Sequence, residues 1–407
     1  MSTKNLTDSS VLKNGKKTKK IRIFGVNLFL DGGFDIIFMI LVFALLTIGL
    51  IMMFSASYVS AKYKYNNSYH LIVRQLAFAV VGVAAMFFIS KVNPEVYKKF
   101  IWIIAGVSVA LLILVLFYHT NVENSPDIKR WMPIGGMSFQ PSDLAKLGLI
   151  MTLAYTLEKY KRDLEKKWWL PIVFVAGVGA VCLLVFLESH LSGTILMFAI
   201  GIGMLFLGGI DRRWFLIGAA VCVFLAVIAY SMRNHIFSEY QLERITSFFN
   251  KDYYDTDTRW QTNQSLFALG SGGIFGLGLG NSHQKFLYLP EPQNDFIFAI
   301  VGEELGFIRC VLILLLFALL ITRGFIIASR AKSAYERLIV LGICLQLGIQ
   351  TILNILVVTD MMPNTGISLP FFSYGGTALM LQLAEMGLVL AVSRTGERRP
   401  AKENNNI

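Results

Sequence analysis

Charge is the scarcest thing in this sequence. Of its 407 residues only 15% are Asp, Glu, Lys or Arg, where soluble domains carry about a quarter. The 55% that are hydrophobic collect in runs of about 20, the length that crosses a hydrocarbon core of roughly 30 Å. A soluble protein is excluded. Strict apolar–polar alternation is also missing, which favours helices over a β-barrel. The net charge of +11 would suggest nucleic acid in a soluble protein. In a membrane protein it reads first as topology, because Lys and Arg collect on the cytoplasmic side; no nucleic-acid partner is implied. The four cysteines (Cys182, Cys222, Cys310 and Cys344) lie inside apolar runs without CxxC spacing, so they read as small core hydrophobes with no disulfide or metal site. None of the five histidines stands three or four residues from another, and no zinc site is legible. There is no soluble domain and no internal repeat.

What is there is a series of about ten apolar runs: residues 36–54, 76–89, 100–118, 144–157, 170–187, 194–210, 215–232, 296–321, 338–358 and 372–392. The expected architecture is an all-α polytopic membrane protein with both termini cytoplasmic. Residues 34–394 form its transmembrane domain, between a basic tail (1–33) that touches anionic lipid and a disordered tail (395–407). Lys91, Lys98, Lys99, Lys159, Lys161 and Arg162 fall in connections assigned to the inside, as do Arg212, Arg213, Arg323 and Arg330. That bias sets the orientation. On the outside, 119–140 and above all 233–294, between the seventh and eighth runs, exceed ordinary connections and read as functional loops.

The long loop ends in six glycines between Gly270 and Gly280. No strand precedes them and no lysine follows in P-loop register, so a nucleotide loop is disfavoured and a flexible or re-entrant segment is expected. Asp295 then opens an apolar run. It is either a helix N-cap or, with Asn294 capping instead, a carboxylate free to face an aqueous pocket. Asp295, Ala299, Gly302 and Gly306 share one helical face, where small residues admit a close neighbour. Glu303 and Glu304 lie about 12 Å deeper by helical rise, where ionisable groups need partners. Arg74, Lys146 and Arg309 are the candidates, with Glu304–Arg309 the expected structural pair.

At these residues the chain resembles the SEDS family, which includes the FtsW, RodA and SpoVE types. The likeness rests on FSAS (Phe54–Ser57), Arg74-Gln75, Arg130-Trp131, QPSDLAK (Gln140–Lys146) and QSLxAxGSGG (Gln264–Gly273). QKxxYLPE (Gln284–Glu291), DFIFA (Asp295–Ala299), EELG (Glu303–Gly306) and PFxSYGG (Pro370–Gly376) complete it. YLPEPQ and TGISLPFFSYGG are nearer the FtsW and SpoVE type. The chain departs from the family's usual residues at Asn294 (Thr), Asp143 (Glu), Arg309 (Gly) and across Glu188–Thr194, so no role is carried over to His190.

The resemblance implies a peptidoglycan glycosyltransferase of the bacterial cytoplasmic membrane, active on its outer face in division or sporulation septum synthesis. It would polymerise lipid II beside a class B penicillin-binding transpeptidase and other division or elongation proteins. The family's essential acidic residue falls on Asp295, the expected base. Arg74, Lys129, Arg130, Lys146, Arg244 and Lys285 form the pool from which a pyrophosphate clamp is drawn, with Gln264 and Ser373 as further substrate-binding candidates. Glu291 is a reserve carboxylate or a ligand for a divalent cation. Asp143, Glu303, Glu304 and Arg309 are read as structural ion-pair residues. Two rival readings are a lipid II flippase, whose site belongs near the midplane, and a scaffold without chemistry, which leaves the intramembrane charges unexplained.

Overall fold

The computed structural model describes residues 22–23, 26–27, 29–30, 32–120, 129–134, 137–164, 166–218, 239–249, 257–364 and 366–396. Its elements follow from short local signals. Asp35 accepts a hydrogen bond from the Phe38 N–H at 2.9 Å and starts α1 (Ile36–Tyr65). At about 1.5 Å per residue its 30 residues are longer than the hydrocarbon core, so its last turns project beyond it. α2 (His70–Lys91) returns, and Asn93 with Pro94 starts the short α3 (Pro94–Lys99). After α4 (Ile101–Phe117), an antiparallel hairpin of β3 (Met132–Ile134) and β4 (Met137–Phe139) leads into α5 (Pro141–Lys159), with Pro at its first turn. A smaller hairpin, β1 (Arg22–Ile23) with β2 (Val26–Asn27), precedes α1. A single turn, α6 (Lys161–Leu164), then α7 (Leu170–Leu187) and α8 (Leu191–Leu207) follow.

Residues 212–218 are helical, and the remainder of the expected seventh span lies outside the described residues. Among the described residues six helices are long and apolar enough to cross a membrane, and α4 and α8 are shorter apolar ones. The expected span at 372–392 begins later, because residues 371–374 are a turn with Phe371 in the left-handed region (φ 65°).

The stretch 233–294 is not the single loop expected. It contains α9 (Glu239–Phe249) and α10 (Asp257–Gly272), whose polar faces hid them from a reading by apolar runs. Three helices complete the bundle. These are α11 (Ile297–Ser329), α12 (Ala334–Val358), capped by Ser333 accepting from the Glu336 N–H, and α13 (Gly376–Thr395). α13 lies along α2 through Met86, Leu383, Met386 and Val389, all buried. At the far end Asp35 ties the start of α1 to Arg323 (2.7 Å) and to Ser393. The helix starting the described bundle and the one ending it therefore meet at one end.

The glycine-rich stretch is docked rather than loose. α11 breaks at Gly306 (φ 77°, ψ 175°). In an unbroken helix the N–H groups of Phe307 and Ile308 would bond the carbonyls of Glu303 and Glu304. The glycine stretch supplies all four partners. Leu277 and Gly278 donate to those carbonyls (2.9 and 3.0 Å), while Phe307 and Ile308 donate to the carbonyls of Gly273 and Ile274 (2.9 and 3.3 Å). A Cβ on Gly276 would meet the Glu304 carbonyl at 2.3 Å, so this interlock requires a residue without one.

Candidate active site

The turn before α11 is held from three directions. The Gln293 carbonyl accepts from the Tyr374 N–H (2.8 Å), and its side chain meets Ser60. Asn354 of α12 donates both to the Asp295 carbonyl and to the Ile367 carbonyl at 2.7 Å. Asn354 thereby joins the turn carrying Asp295 to the segment after α12. The helix begins at Ile297 without a side-chain cap, so the Asp295 carboxylate is not spent as an N-cap.

That carboxylate is half-buried on the wall of a cavity of about 440 Å³ among α2, α5, α8, α12, α13 and the Asp295 turn. A Cβ added to Gly366 would lie 3.1 Å from Asp295 Oδ2, 3.3 Å from Arg244 Nη1 and 4.0 Å from Arg130 Nη1. A carboxylate and two guanidinium groups thus converge on the bare backbone of one glycine. Arg244 comes from α9. Arg130 precedes β3, is buried, and donates to the Ser189 carbonyl. Burial raises the Asp295 pKa above the ordinary carboxylate value, while Arg244 and then Arg130 pull it back down.

Arg74, Lys146, Asp143 and Ser373 also line the cavity. Lys146 pairs with Asp143 at 2.7 Å, and Ser373 Oγ accepts from the Leu369 N–H at 2.7 Å. Sequence reasoning missed three residues here. His190 lines the cavity, with Nδ1 3.2 Å from the Gln140 amide nitrogen, and burial lowers its pKa. Glu188, fully buried behind Arg130, is pushed up to about 9 by burial. Glu385 stands on the cavity floor, both oxygens accepting from Gln346 Nε2 (3.1 and 3.0 Å). A lone glutamate inside the run at 372–392 was the available signal for it.

Other expected members are elsewhere. Lys285 is buried against Glu304 (2.9 Å) and leaves the clamp pool. That pairing also replaces the expected Glu304–Arg309 pair, whose two members stand on opposite sides of the break at Gly306. Arg309 donates to the Phe275 and Leu305 carbonyls instead. Glu303 accepts from the Ser282 hydroxyl and the His283 N–H. Gln264 is buried on α10 and, like Lys129, is not among the cavity-lining residues. Glu291 meets the Lys64 ammonium at 2.5 Å, and its other oxygen accepts from the Gln293 and Asn294 amides. With both oxygens facing N–H donors, Glu291 does not fit a divalent cation. Among the described residues no group of three or more His, Cys, Asp or Glu side chains is placed to hold a metal.

The chain is similar to stage V sporulation protein E of Bacillus subtilis, 40% identical over 367 residues that cover 88% of this chain and 97% of that one. It is also similar to a probable peptidoglycan glycosyltransferase FtsW of Geobacter sp. strain M18, at 36% identity over 89% and 97% of the two chains. Among solved structures, one neighbour is a chain of a peptidoglycan synthase complex described as coordinating polymerization and crosslinking. It has a TM-score of 0.72 at 26% identity, covering 89% of this chain and 98% of that one. Another is the rod shape determining protein RodA of Thermus thermophilus, with a TM-score of 0.63 at 26% identity, covering 90% and 98%. The family model described as cell cycle protein matches residues 36–398. The apolar helices, the bundle and these likenesses agree: the chain is a multi-pass membrane protein and belongs to the FtsW/RodA/SpoVE family.

Proposed function

We propose that this protein is a peptidoglycan glycosyltransferase that polymerises lipid II, with Asp295 as its base. The observation that carries this reading is the convergence of Asp295, Arg244 and Arg130 on Gly366 at the cavity wall. Joining two lipid-linked sugars requires a proton acceptor at the attacking hydroxyl and cations at the departing pyrophosphate. The acceptor oxygen attacks the anomeric carbon as the bond to pyrophosphate breaks, and the hydroxyl proton passes to the Asp295 carboxylate. A raised pKa makes that carboxylate a stronger base than an exposed one. Guanidinium groups stay charged at any working pH and match phosphate oxygens bidentately. In the free protein Arg244 and Arg130 face Asp295; a seated pyrophosphate draws them onto itself and releases the base.

The test is purified protein given lipid II and analysed for glycan chains. Asp295→Asn keeps size and polarity and should lower the polymerisation rate by about 100-fold or more; wild-type rates in that variant would sink the assignment. A class B penicillin-binding transpeptidase is the proposed partner, since one structural neighbour comes from a synthase complex. Phe275 and Phe307, brought together at the break in α11 and each more than half exposed, offer its membrane helix apolar side chains. The septum is the proposed place of action, at the outer side of the bacterial cytoplasmic membrane.

Translocation of lipid II has one observation in its favour. The cavity continues past Asp295 to Gln346 and Glu385, about 12 Å along α12 from Asn354 by helical rise. Translocation of lipid II by the wild-type protein in liposomes, lost in Glu385→Gln, together with no glycan chains from the purified wild type, would favour that reading over the enzyme.

A further inference from the structure

A second cavity, about 510 Å³, lies away from Asp295 between α4, α5 and α7. α5 forms its floor through Leu149 and Leu153, with α4 and α7 on either side as its walls. A side chain added at Gly177 on α7 would meet nothing within 4 Å. The Ser108 and Thr156 hydroxyls in the lining turn back to carbonyls of their own helices, at 2.9 and 2.8 Å. The groove therefore offers an occupant mainly hydrocarbon.

Its mouth is at the end of the bundle opposite Asp295. Trp102 starts α4 there and Trp169 precedes α7; they are 60% and 47% exposed, and Trp168 beside them is 72% exposed. Exposed indoles at a groove mouth are the side chains that settle at lipid headgroup level. Lys159 stands at the same mouth, its ammonium 5.6 Å and 5.3 Å from the ring centres of Tyr155 and Tyr160. Residues 159–169 read KYKRDLEKKWW, with five basic and two acidic side chains. From Trp102 to Leu112 and from Trp169 to Val181 the groove runs about 15 to 18 Å by helical rise. That matches one leaflet of a core roughly 30 Å thick. A partner's transmembrane helix would need a groove across both leaflets.

We propose that the groove between α4, α5 and α7 binds an anionic phospholipid. One acyl chain enters between α4 and α7, and the phosphate lies on the Lys159–Lys167 turn. The site is separate from the Asp295 cavity and does not depend on the glycosyltransferase reading.

The test uses the full-length protein in neutral detergent, titrated with phosphatidylglycerol or phosphatidylcholine carrying the same brominated acyl chains. Quenching of tryptophan fluorescence is the readout. Phosphatidylglycerol should quench saturably with a midpoint at least about fivefold lower, since a basic residue near a lipid surface contributes on that scale. The exposed-charge variant K159Q/K161Q/R162Q/K166Q should bring the two midpoints within twofold. Gly177→Leu, which fills the groove, should abolish saturation for both lipids. Equal midpoints in the wild type, or a preference that survives the charge variant, would overturn the site. The charge variant alters only surface side chains, so the test stands even where Gly177→Leu fails to fold.

Discussion

Asp295 has an opposed electrostatic environment: burial pushes its pKa up, and Arg244 and Arg130 hold the rise down. A base works only when deprotonated, so activity should fall as pH drops through that raised value. The acidic limb of the rate profile is then expected above the ordinary carboxylate range. Removing a cation that favours the charged form moves the limb further up. Arg244→Gln should therefore shift it to higher pH as well as slow the reaction; a limb that stays in place would show that Asp295 is not the titrating group. Glu188 carries the opposite kind of signal. Its folded-state value of about 9 exceeds the ordinary 4.5, so the native chain holds a proton that the unfolded chain has lost. Stability contributed by this residue falls as pH rises from about 4.5 towards 9. Glu188→Gln should flatten that loss and raise stability at pH 8 on the order of 1 kcal/mol, read as the unfolding midpoint in detergent at pH 6 and pH 8.

At the scale of elements, the break in α11 and the glycine stretch form one unit. Gly306 adopts φ 77°, and a Cβ there would lie 2.2 Å from the Gly276 nitrogen. Gly306→Ala should destabilise the protein by about 1 to 3 kcal/mol. Its thermal unfolding should fall accordingly, although the substitution is remote from the Asp295 carboxylate; an unchanged midpoint would mean the interlock adds nothing. The glycines were legible as a place where backbone approaches closely, but not as partners of a helix break, because a local pattern carries no information about distant hydrogen bonds. Lys285 shows the same limit. Helical spacing reaches three or four residues, whereas Lys285 folds back 19 positions to Glu304. Asp295 was legible because a proline turn and a helix start bracket it. Arg130 and Arg244 were legible only as members of a pool, since no spacing rule brings α9 to the α11 turn. α9 and α10 were missed as helices because the search was for apolar runs.

Across the whole molecule, exposed cations are distributed unequally between the two ends. At the cavity end Arg74 and Arg130 line the cavity and Arg244 joins Arg130 beside Asp295, while Lys64, Arg259 and Lys285 pair with Glu291, Asp360 and Glu304. Among the described residues Lys62 is also exposed there. At the opposite end Lys98, Lys167 and Arg323 pair with Glu158, Asp163 and Asp35, while Lys91, Lys161, Arg162, Lys166, Arg212 and Arg213 are exposed to the surroundings. Free lysine and arginine orient a membrane protein towards the cytoplasm, so the cavity end should face outward, where lipid-linked sugars would meet Asp295. Cysteine labelling in intact cells tests this. Cys182, Cys310 and Cys344 are buried, and the unsubstituted chain supplies the background. Lys62→Cys, at an exposed position in the last turns of α1 beside the Lys64–Glu291 pair, should react with an impermeant maleimide from outside. Lys166→Cys should react only after permeabilisation. The reverse pattern would put the cavity on the cytoplasmic side, and the proposed polymerisation at the outer face would fall with it.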